Sequence, residues 1–272
     1  MRQGGLNTIF EMNPIRDTVL ITGASSGIGW ELAHCFAADS SRLILVARNT
    51  QAMGTLAEKL RQAHGVEVIV LTFDLSRPET PQRIFAEILS RSLTVDVLVN
   101  NAGFGANGAF AELPVERQIE MVQVNITALM ELTSMFLPAM IARNRGGILN
   151  VGSVAGFQPG PGMTVYFATK AFVLSFTEAL AEELRTTQLK VSVLCPGPTE
   201  SNFGMVARGE KERQRKVTKM TAQAVAESGH RAFRNGKVTV VTGWTNRLFV
   251  FLVRLTPRWL PRRIVAKFNQ TD

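Results

Sequence analysis

Two kinds of apolar pattern alternate along the chain. Short blocks of consecutive, largely β-branched apolar residues fall at Thr18–Ile21, Leu43–Ala47, Val66–Thr72, Val95–Val99, Gly147–Val151, Val191–Leu194 and Val238–Val241. Between them lie longer stretches in which apolar residues recur every three to four positions. The first kind reads as strands buried on both faces, the second as helices packed on a sheet. The predicted helices run through Leu32, Ala33 and Phe36, then over Gln51–His64, Pro78–Arg91, Val115–Arg143, Thr164–Thr186 and Thr221–Arg234. Seven strands separated by helices, with no internal linker, predict one α/β domain. Its sheet is parallel, seven-stranded and doubly wound. The domain spans residues 17–243, preceded by an N-terminal extension (1–16) and followed by a tail (244–272).

The tail has its own pattern. Arg247, Arg254, Arg258 and Arg262 are spaced by seven, four and four, so a continuous helix would carry them on one face. Leu248, Phe251, Leu252, Leu255 and Trp259 fall largely on the other. Pro257 and Pro261 each remove a backbone donor and interrupt that helix. Two short amphipathic helices are therefore expected, Asn246–Leu255 and Pro261–Phe268, with Pro261 in a first turn. The favoured reading packs the apolar face on the sheet edge, the substrate lid or a neighbouring subunit. The alternative is peripheral membrane contact, and the two coexist if the tail covers a lipophilic pocket.

Composition narrows the class. Of 272 residues, 46% are hydrophobic and 19% charged, enough for a large core and too apolar for disorder. Cys35 and Cys195 are the only cysteines, and His34, His64 and His230 are scattered. That predicts reduced thiols packed in a core, a cytoplasmic setting and no metal. The formal charge of +8 is local. Between Arg208 and Lys219 six basic residues face Glu210 and Glu212, and from Trp244 onward six more face only Asp272. Stacking aromatics do not interleave the first run, so no nucleic-acid partner is expected. Met1–Asp17 lacks an apolar signal core, and no run of eighteen apolar residues occurs. Residues 1–11 read as dispensable, with Met12 a second candidate start.

Candidate chemistry sits at the strand ends. The first strand runs into Thr22-Gly23-Ala24-Ser25-Ser26-Gly27-Ile28-Gly29 and then a helix, the context of a phosphate-binding turn. Gly23 permits the tight turn, Gly27 lets the backbone approach a pyrophosphate, and Gly29 allows close helix–strand packing. The second strand ends in Ala47-Arg48, where an NAD site usually carries a carboxylate. A guanidinium there favours the 2′-phosphate of NADP(H). The chain's single Tyr, Tyr166, stands four residues before Lys170, so phenol and ammonium share one helix face. A cation beside a phenol lowers its pKa from about 10, as a general acid near neutrality requires. Ser153 lies thirteen residues upstream.

Together Thr22-Gly23-x-x-x-Gly27-Ile28-Gly29, Asn100-Asn101-Ala102-Gly103, Asn125, Ser153, Tyr166-x-x-x-Lys170 and Pro196-Gly197 resemble the short-chain dehydrogenase/reductase family over residues 17–243. The resemblance implies a Rossmann fold and NADP(H)-dependent chemistry between a carbonyl and a secondary alcohol. Tyr166 would be the acid/base, Ser153 the donor to the substrate oxygen, Lys170 the group that tunes Tyr166 and grips the nicotinamide ribose. Asn125 would anchor a water chain to Lys170. Asp74 is similar to the residue at adenine, Asn101 to that near the adenosine ribose, and Thr199 to that at the nicotinamide amide. Ser25, Ser26, Leu75, Ala102, Gly103, Pro196 and Gly197 join the cofactor set. By the same analogy Phe203–Lys219 forms a lid, and Phe104, Phe157, Met163 and Phe203 face the substrate. These suggest a lipophilic ketone: a 3-oxoacyl thioester, a steroid or a long-chain ketone. The long helices imply a homodimer or homotetramer. The alternative function is a non-catalytic NADP(H) sensor or scaffold on the same fold.

Overall fold

The computed structural model describes residues 17–208 and 218–269. The N-terminal extension and most of the basic run between Arg208 and Lys219 lie outside the described residues. Along the chain come β1 (Thr18–Thr22), α1 (Gly27–Ala38), β2 (Arg42–Ala47), α2 (Thr50–His64), β3 (Val68–Thr72), α3 (Thr80–Ser90) and β4 (Val97–Asn100). Next are α4 (Val115–Val122), a π turn (Gln123–Thr127), α5 (Ala128–Arg143), β5 (Gly147–Val151) and a 3₁₀ turn (Val154–Phe157). Then follow α6 (Thr164–Glu183), β6 (Lys190–Cys195), β7 (Thr199–Glu200), α7 (Phe203–Arg208), β8 (Met220–Thr221), α8 (Ala222–Arg234) and β9 (Thr239–Val241). The tail forms α9 (Trp244–Leu255) and α10 (Trp259–Asn269).

Seven strands form one parallel sheet in the order β3-β2-β1-β4-β5-β6-β9. The strands alternate their side chains between two cores, as the period of two dictates. Val19 and Ile21 of β1 pack with Leu32 and Phe36 of α1, Met53 of α2 and Phe233 of α8 on one face. Leu20 packs with Ile84 of α3, Leu132 and Phe136 of α5 and Leu180 of α6 on the other. With both faces covered, the strands are apolar throughout, which is why they appear in the sequence as unbroken blocks. A buried amide ladder ties the sheet's centre together. Asn100 Nδ2 donates to Asn150 Oδ1 at 3.0 Å, and Asn150 Nδ2 donates to Thr177 Oγ1 at 2.9 Å.

Several boundaries differ from expectation. β3 begins at Val68 rather than Val66, β4 covers Val97–Asn100 rather than Val95–Val99, and α6 ends at Glu183 rather than Thr186. The long helix is interrupted by the π turn around Asn125, which inserts extra backbone into an otherwise regular ladder. By length and composition alone Val115–Arg143 could cross a membrane. Here it straps the sheet, with Ala128, Leu132, Phe136 and Met140 in the core. The two-residue pair β7–β8 was not foreseen.

The favoured packing of the tail's apolar face is corrected within this chain. Trp244, Leu248, Phe251, Leu252, Leu255 and Trp259 are exposed. The tail instead rests on a second stripe, with Val250, Pro261 and Val265 buried. α9 starts two residues earlier than expected, at Trp244, behind Gly243 with φ 81°. α10 starts at Trp259, which leaves Pro261 in its first turn, where the missing N–H has no helical partner to lose.

Candidate active site

The strand order reverses between β1 and β4, and in a doubly wound sheet ligands bind at that switch, beyond the carboxyl ends of the strands. The glycine turn sits there. Gly23 (φ 66°) and Gly27 (φ 57°) hold left-handed conformations open to glycine at little cost. A Cβ on Gly23 would lie 2.8 Å from Ala102 Cα, and one on Gly29 would collide with the Gly23 carbonyl and Asn101. α1 opens at Gly27 with Ser26 at its N-cap, so its first N–H groups and dipole face the turn. This geometry fits a pyrophosphate.

Thr22 ties the turn to the loop after β4. Its hydroxyl oxygen accepts from the Asn101 and Ala102 N–H groups, both at 3.0 Å, and donates to Val99 O at 3.3 Å. Asn101 Nδ2 returns hydrogen bonds to Thr22 O (3.0 Å) and Gly23 O (3.1 Å). The neighbouring Asn100 points the opposite way, into the core ladder. Thr22 was quoted in the motif but was not among the predicted site residues. Its residue type, a β-branched hydroxyl ending a buried strand, was the available signal.

Arg48 is exposed just beyond β2, one residue past buried Ala47. Asp74 follows β3, and its carboxylate accepts from the Ser76 N–H at 3.0 Å. The Leu75 side chain is buried in the core shared with Leu20 and Ile84, so only its backbone can face a cofactor. After β6, Pro196 O accepts from the Val154 N–H (3.0 Å) and from Ser153 Oγ (3.4 Å), and Thr199 Oγ1 donates to Gly197 O at 2.9 Å.

On the opposite side of the rim α6 presents Tyr166 and Lys170, both buried, with the Lys170 ammonium 6.0 Å from the Tyr166 ring centroid. Lys170 Nζ donates to Val151 O at 2.7 Å. Burial lowers the Lys170 pKa from 10.5 to about 8. Cys195 itself is pushed up to about 12 by burial and Cys35 to about 11, so both thiols stay protonated and pack. Ser153, at the end of β5, caps the 3₁₀ turn by accepting from the Ala155 N–H at 3.1 Å.

Asn125 sits in the π turn, 1% exposed, which would be costly without partners. Its amide is fully engaged: Oδ1 accepts from Phe104 N (3.1 Å), and Nδ2 donates to Phe104 O (2.9 Å) and Thr169 Oγ1 (3.0 Å). Thr169 Oγ1 in turn donates to Tyr166 O at 2.7 Å. A Cβ on Gly103 would lie 3.0 Å from Asn125 Oδ1 and 3.5 Å from Lys170 Nζ. The π turn therefore connects the loop after β4 to the helix that carries Tyr166 and Lys170.

Three of the four predicted substrate-facing residues gather around Tyr166. Phe104, Met163 and Phe203 pack with it, the Phe203 ring 5.1 Å from the Tyr166 ring. Gly105 leaves room for them, since its Cβ would meet Phe203 at 2.9 Å and Met163 at 3.1 Å. Phe157 does not join this group. It packs with Val173, Phe172 and Phe176, beneath the Arg254 guanidinium at 5.6 Å. The lid is described only over α7 and from 218 onward, and residues 209–217 of it lie outside the described residues. Sequence reasoning missed Asn107, Asn246 and Asn269. Asn246 lies against Gly197, and Asn269 Nδ2 donates to Pro161 O at 3.0 Å.

A chain built this way can hold a dinucleotide across the switch in strand order with a proton donor near one end of it, the layout of a dehydrogenase. The chain belongs to the short chain dehydrogenase family, whose model matches residues 17–212. It is similar to an NADP-dependent 3-hydroxy acid dehydrogenase of Schizosaccharomyces pombe, 33% identical over 217 residues, 77% of this chain and 84% of that protein. The ketoacyl reductase HetN of a Nostoc species is 31% identical over 224 residues, 82% of this chain and 77% of that one. Among solved structures, a short-chain dehydrogenase from Sphingobium yanoikuyae in complex with NADPH superposes with a TM-score of 0.79 at 32% identity, covering 88% of this chain and 93% of that one.

Proposed function

We propose that this protein uses NADP(H) to interconvert a lipophilic ketone and its secondary alcohol, with Tyr166, Lys170, Ser153 and Asn125 as the reacting set. The observation that carries the reading is the burial of Tyr166 and Lys170 on one helix face, with Phe104, Met163 and Phe203 packed around Tyr166, across the rim from the glycine turn. The nicotinamide supplies or accepts the hydride, and the protein supplies orientation and a proton. As charge builds on the carbonyl oxygen, the Tyr166 hydroxyl and Ser153 Oγ donate to it, and Tyr166 gives up its proton. Lys170, cationic below its pKa of about 8, favours the phenolate left behind. Asn125 fixes the backbone of Phe104 and, through Thr169, the turn of α6 that bears Tyr166. A water relay to Lys170 would start at this π turn. Phe104, Met163 and Phe203 favour an apolar carbonyl substrate such as a 3-oxoacyl thioester or a steroid. The relative named a ketoacyl reductase supports the 3-oxoacyl member of that set.

The preference for NADP(H) rests on Arg48, exposed at the end of β2 where a carboxylate would repel a 2′-phosphate. Charge-assisted hydrogen bonds contribute roughly 1.5–3 kcal/mol. Arg48→Ala therefore raises the KM for NADPH by about 10- to 100-fold and leaves that for NADH nearly unchanged. Steady-state kinetics with both cofactors checks this, and a wild-type enzyme with the better kcat/KM for NADH would overturn it.

The assembly we propose is a homodimer or a tetramer of dimers. Val115, Ile119, Val122 and Met130 leave an apolar strip exposed along α4 and α5. Light scattering at micromolar concentration is expected to give a multiple of the 29.8 kDa chain mass. A monomeric mass would contradict it.

A further inference from the structure

The tail has more apolar surface than its packing uses. α9 is apolar on two opposite faces. Phe249, Val250 and Val253 turn toward the protein and are buried or half-buried. Trp244, Leu248, Phe251, Leu252 and Leu255, recurring every three to four residues, form the outer stripe, and all are exposed, Trp244 at 74% and Leu255 at 67%. Trp259, Ile264 and Phe268 continue the exposed surface on α10. Eight of the seventeen large apolar side chains exposed among the described residues thus fall within these two helices, a concentration that marks an interaction site.

Charge identifies the occupant. Residues 244–269 carry Arg247, Arg254, Arg258, Arg262, Arg263 and Lys267 and no Asp or Glu. A twofold contact of this face with its own copy would set six cations against six, with no acid in the segment to compensate. Nor do residues 1–16 or 209–217 offer an acidic complement. Residues 1–16 hold Arg2 and Arg16 against Glu11, and 209–217 hold four cations against Glu210 and Glu212. The partner must be acidic and must also accept exposed Trp, Phe and Leu side chains. A nucleic acid takes single apolar wedges between base steps but offers no surface for a stripe of eight Trp, Phe, Leu and Ile side chains, whereas the headgroup region of an anionic bilayer meets both demands.

We propose that α9 and α10 dock the protein on an anionic lipid surface through Trp244, Leu248, Phe251, Leu252, Leu255, Trp259 and the flanking arginines. The inner side of the same helices touches the rim of the site. Asn246 lies against Gly197, and Asn269 bonds Pro161 while accepting from Asn107 Nδ2 at 3.4 Å. A docked protein would hold Tyr166 and the apolar side chains around it near the bilayer. That use of the contact rests on the lipophilic-substrate reading above, whereas the docking stands on the tail's residues alone.

The test is co-sedimentation of the full chain with vesicles of phosphatidylglycerol and phosphatidylcholine in equal parts, and with phosphatidylcholine alone. The wild type is expected to pellet with the first and not the second, and to be released by high salt. The double variant Phe251→Ser, Leu255→Ser is expected to bind the anionic vesicles roughly tenfold or more weakly, because two large apolar side chains no longer enter the interface. Both positions are exposed, so its melting temperature, mass by light scattering and NADPH turnover of a water-soluble ketone should match the wild type. Wild type that stays in solution, or equal binding by both proteins, would overturn the proposal. So would a variant that falls to a smaller oligomer, which would make this face a subunit contact. Vesicle binding without any ketone turnover would leave the docking standing and remove the reductase reading instead.

Discussion

Tyr166→Phe lowers kcat by about 10²–10⁴, the usual worth of a positioned general acid, and leaves the Kd for NADPH within about threefold of wild type. The substitution removes one hydroxyl and keeps the ring. That ring is 8% exposed and packs against Phe203 at 5.1 Å and Phe167 at 6.1 Å, contacts that do not need the oxygen. The glycine turn, with Gly23, Gly27, Thr22 and Asn101, lies on other elements and is untouched. Ser153 would still donate to the substrate oxygen, so residual turnover is expected rather than none. A variant that kept more than about a tenth of the wild-type kcat would contradict the assignment of the proton to Tyr166.

Lys170→Met separates function from stability. Lys170 is 5% exposed and gives its ammonium one hydrogen bond, to Val151 O. Holding that charge in the interior is unfavourable, which is why its pKa falls from 10.5 to about 8. With a folded pKa below the unfolded one, the stability penalty is present in full below pH 8. It is relieved as pH rises from about 8 toward 10.5, where the folded form is neutral and the unfolded form still protonated. Methionine has similar length and no charge. The variant is therefore expected to melt at a higher temperature than wild-type apoprotein at pH 7, with the gap closing toward pH 10. Its kcat should fall by at least as much as that of Tyr166→Phe, and its affinity for NADPH should weaken. Calorimetry across that pH range, beside initial rates, reads both effects. A variant less stable than wild type at pH 7 would contradict the picture of a strained buried cation.

The sequence revealed most where one residue type answers one physical demand. Buried parallel strands must be apolar on both faces, so Thr18–Thr22 and Arg42–Ala47 stood out almost to the residue. Gly23 and Gly29 were legible because backbone and Asn101 leave no room for a Cβ, and Gly27 because its φ of 57° favours glycine. The π turn at Asn125 was not legible, since π and α turns draw on the same residues. Nor was the β7–β8 pair, whose two-residue strands, Thr199–Glu200 and Met220–Thr221, are too short for alternation to register. In the tail, periodicity correctly marked Leu248, Phe251 and Leu255 as one stripe. It could not say which of two apolar stripes would face the protein, and the buried one runs through Val250. Phe157 lay close in sequence to Ser153, but the 3₁₀ turn directs it into the cluster of Phe172 and Phe176, away from Tyr166.

The central claim, an NADP(H)-dependent reductase of lipophilic ketones, is tested most directly by following NADPH oxidation by the wild-type protein against a panel of 3-oxoacyl thioesters, steroid ketones and long-chain ketones, with small polar carbonyls as controls. Ketone-dependent oxidation that favours the apolar members, and that is lost in Tyr166→Phe protein which still binds NADPH, is the predicted result. NADPH binding without turnover of any carbonyl, or turnover that survives the loss of the Tyr166 hydroxyl, would contradict it.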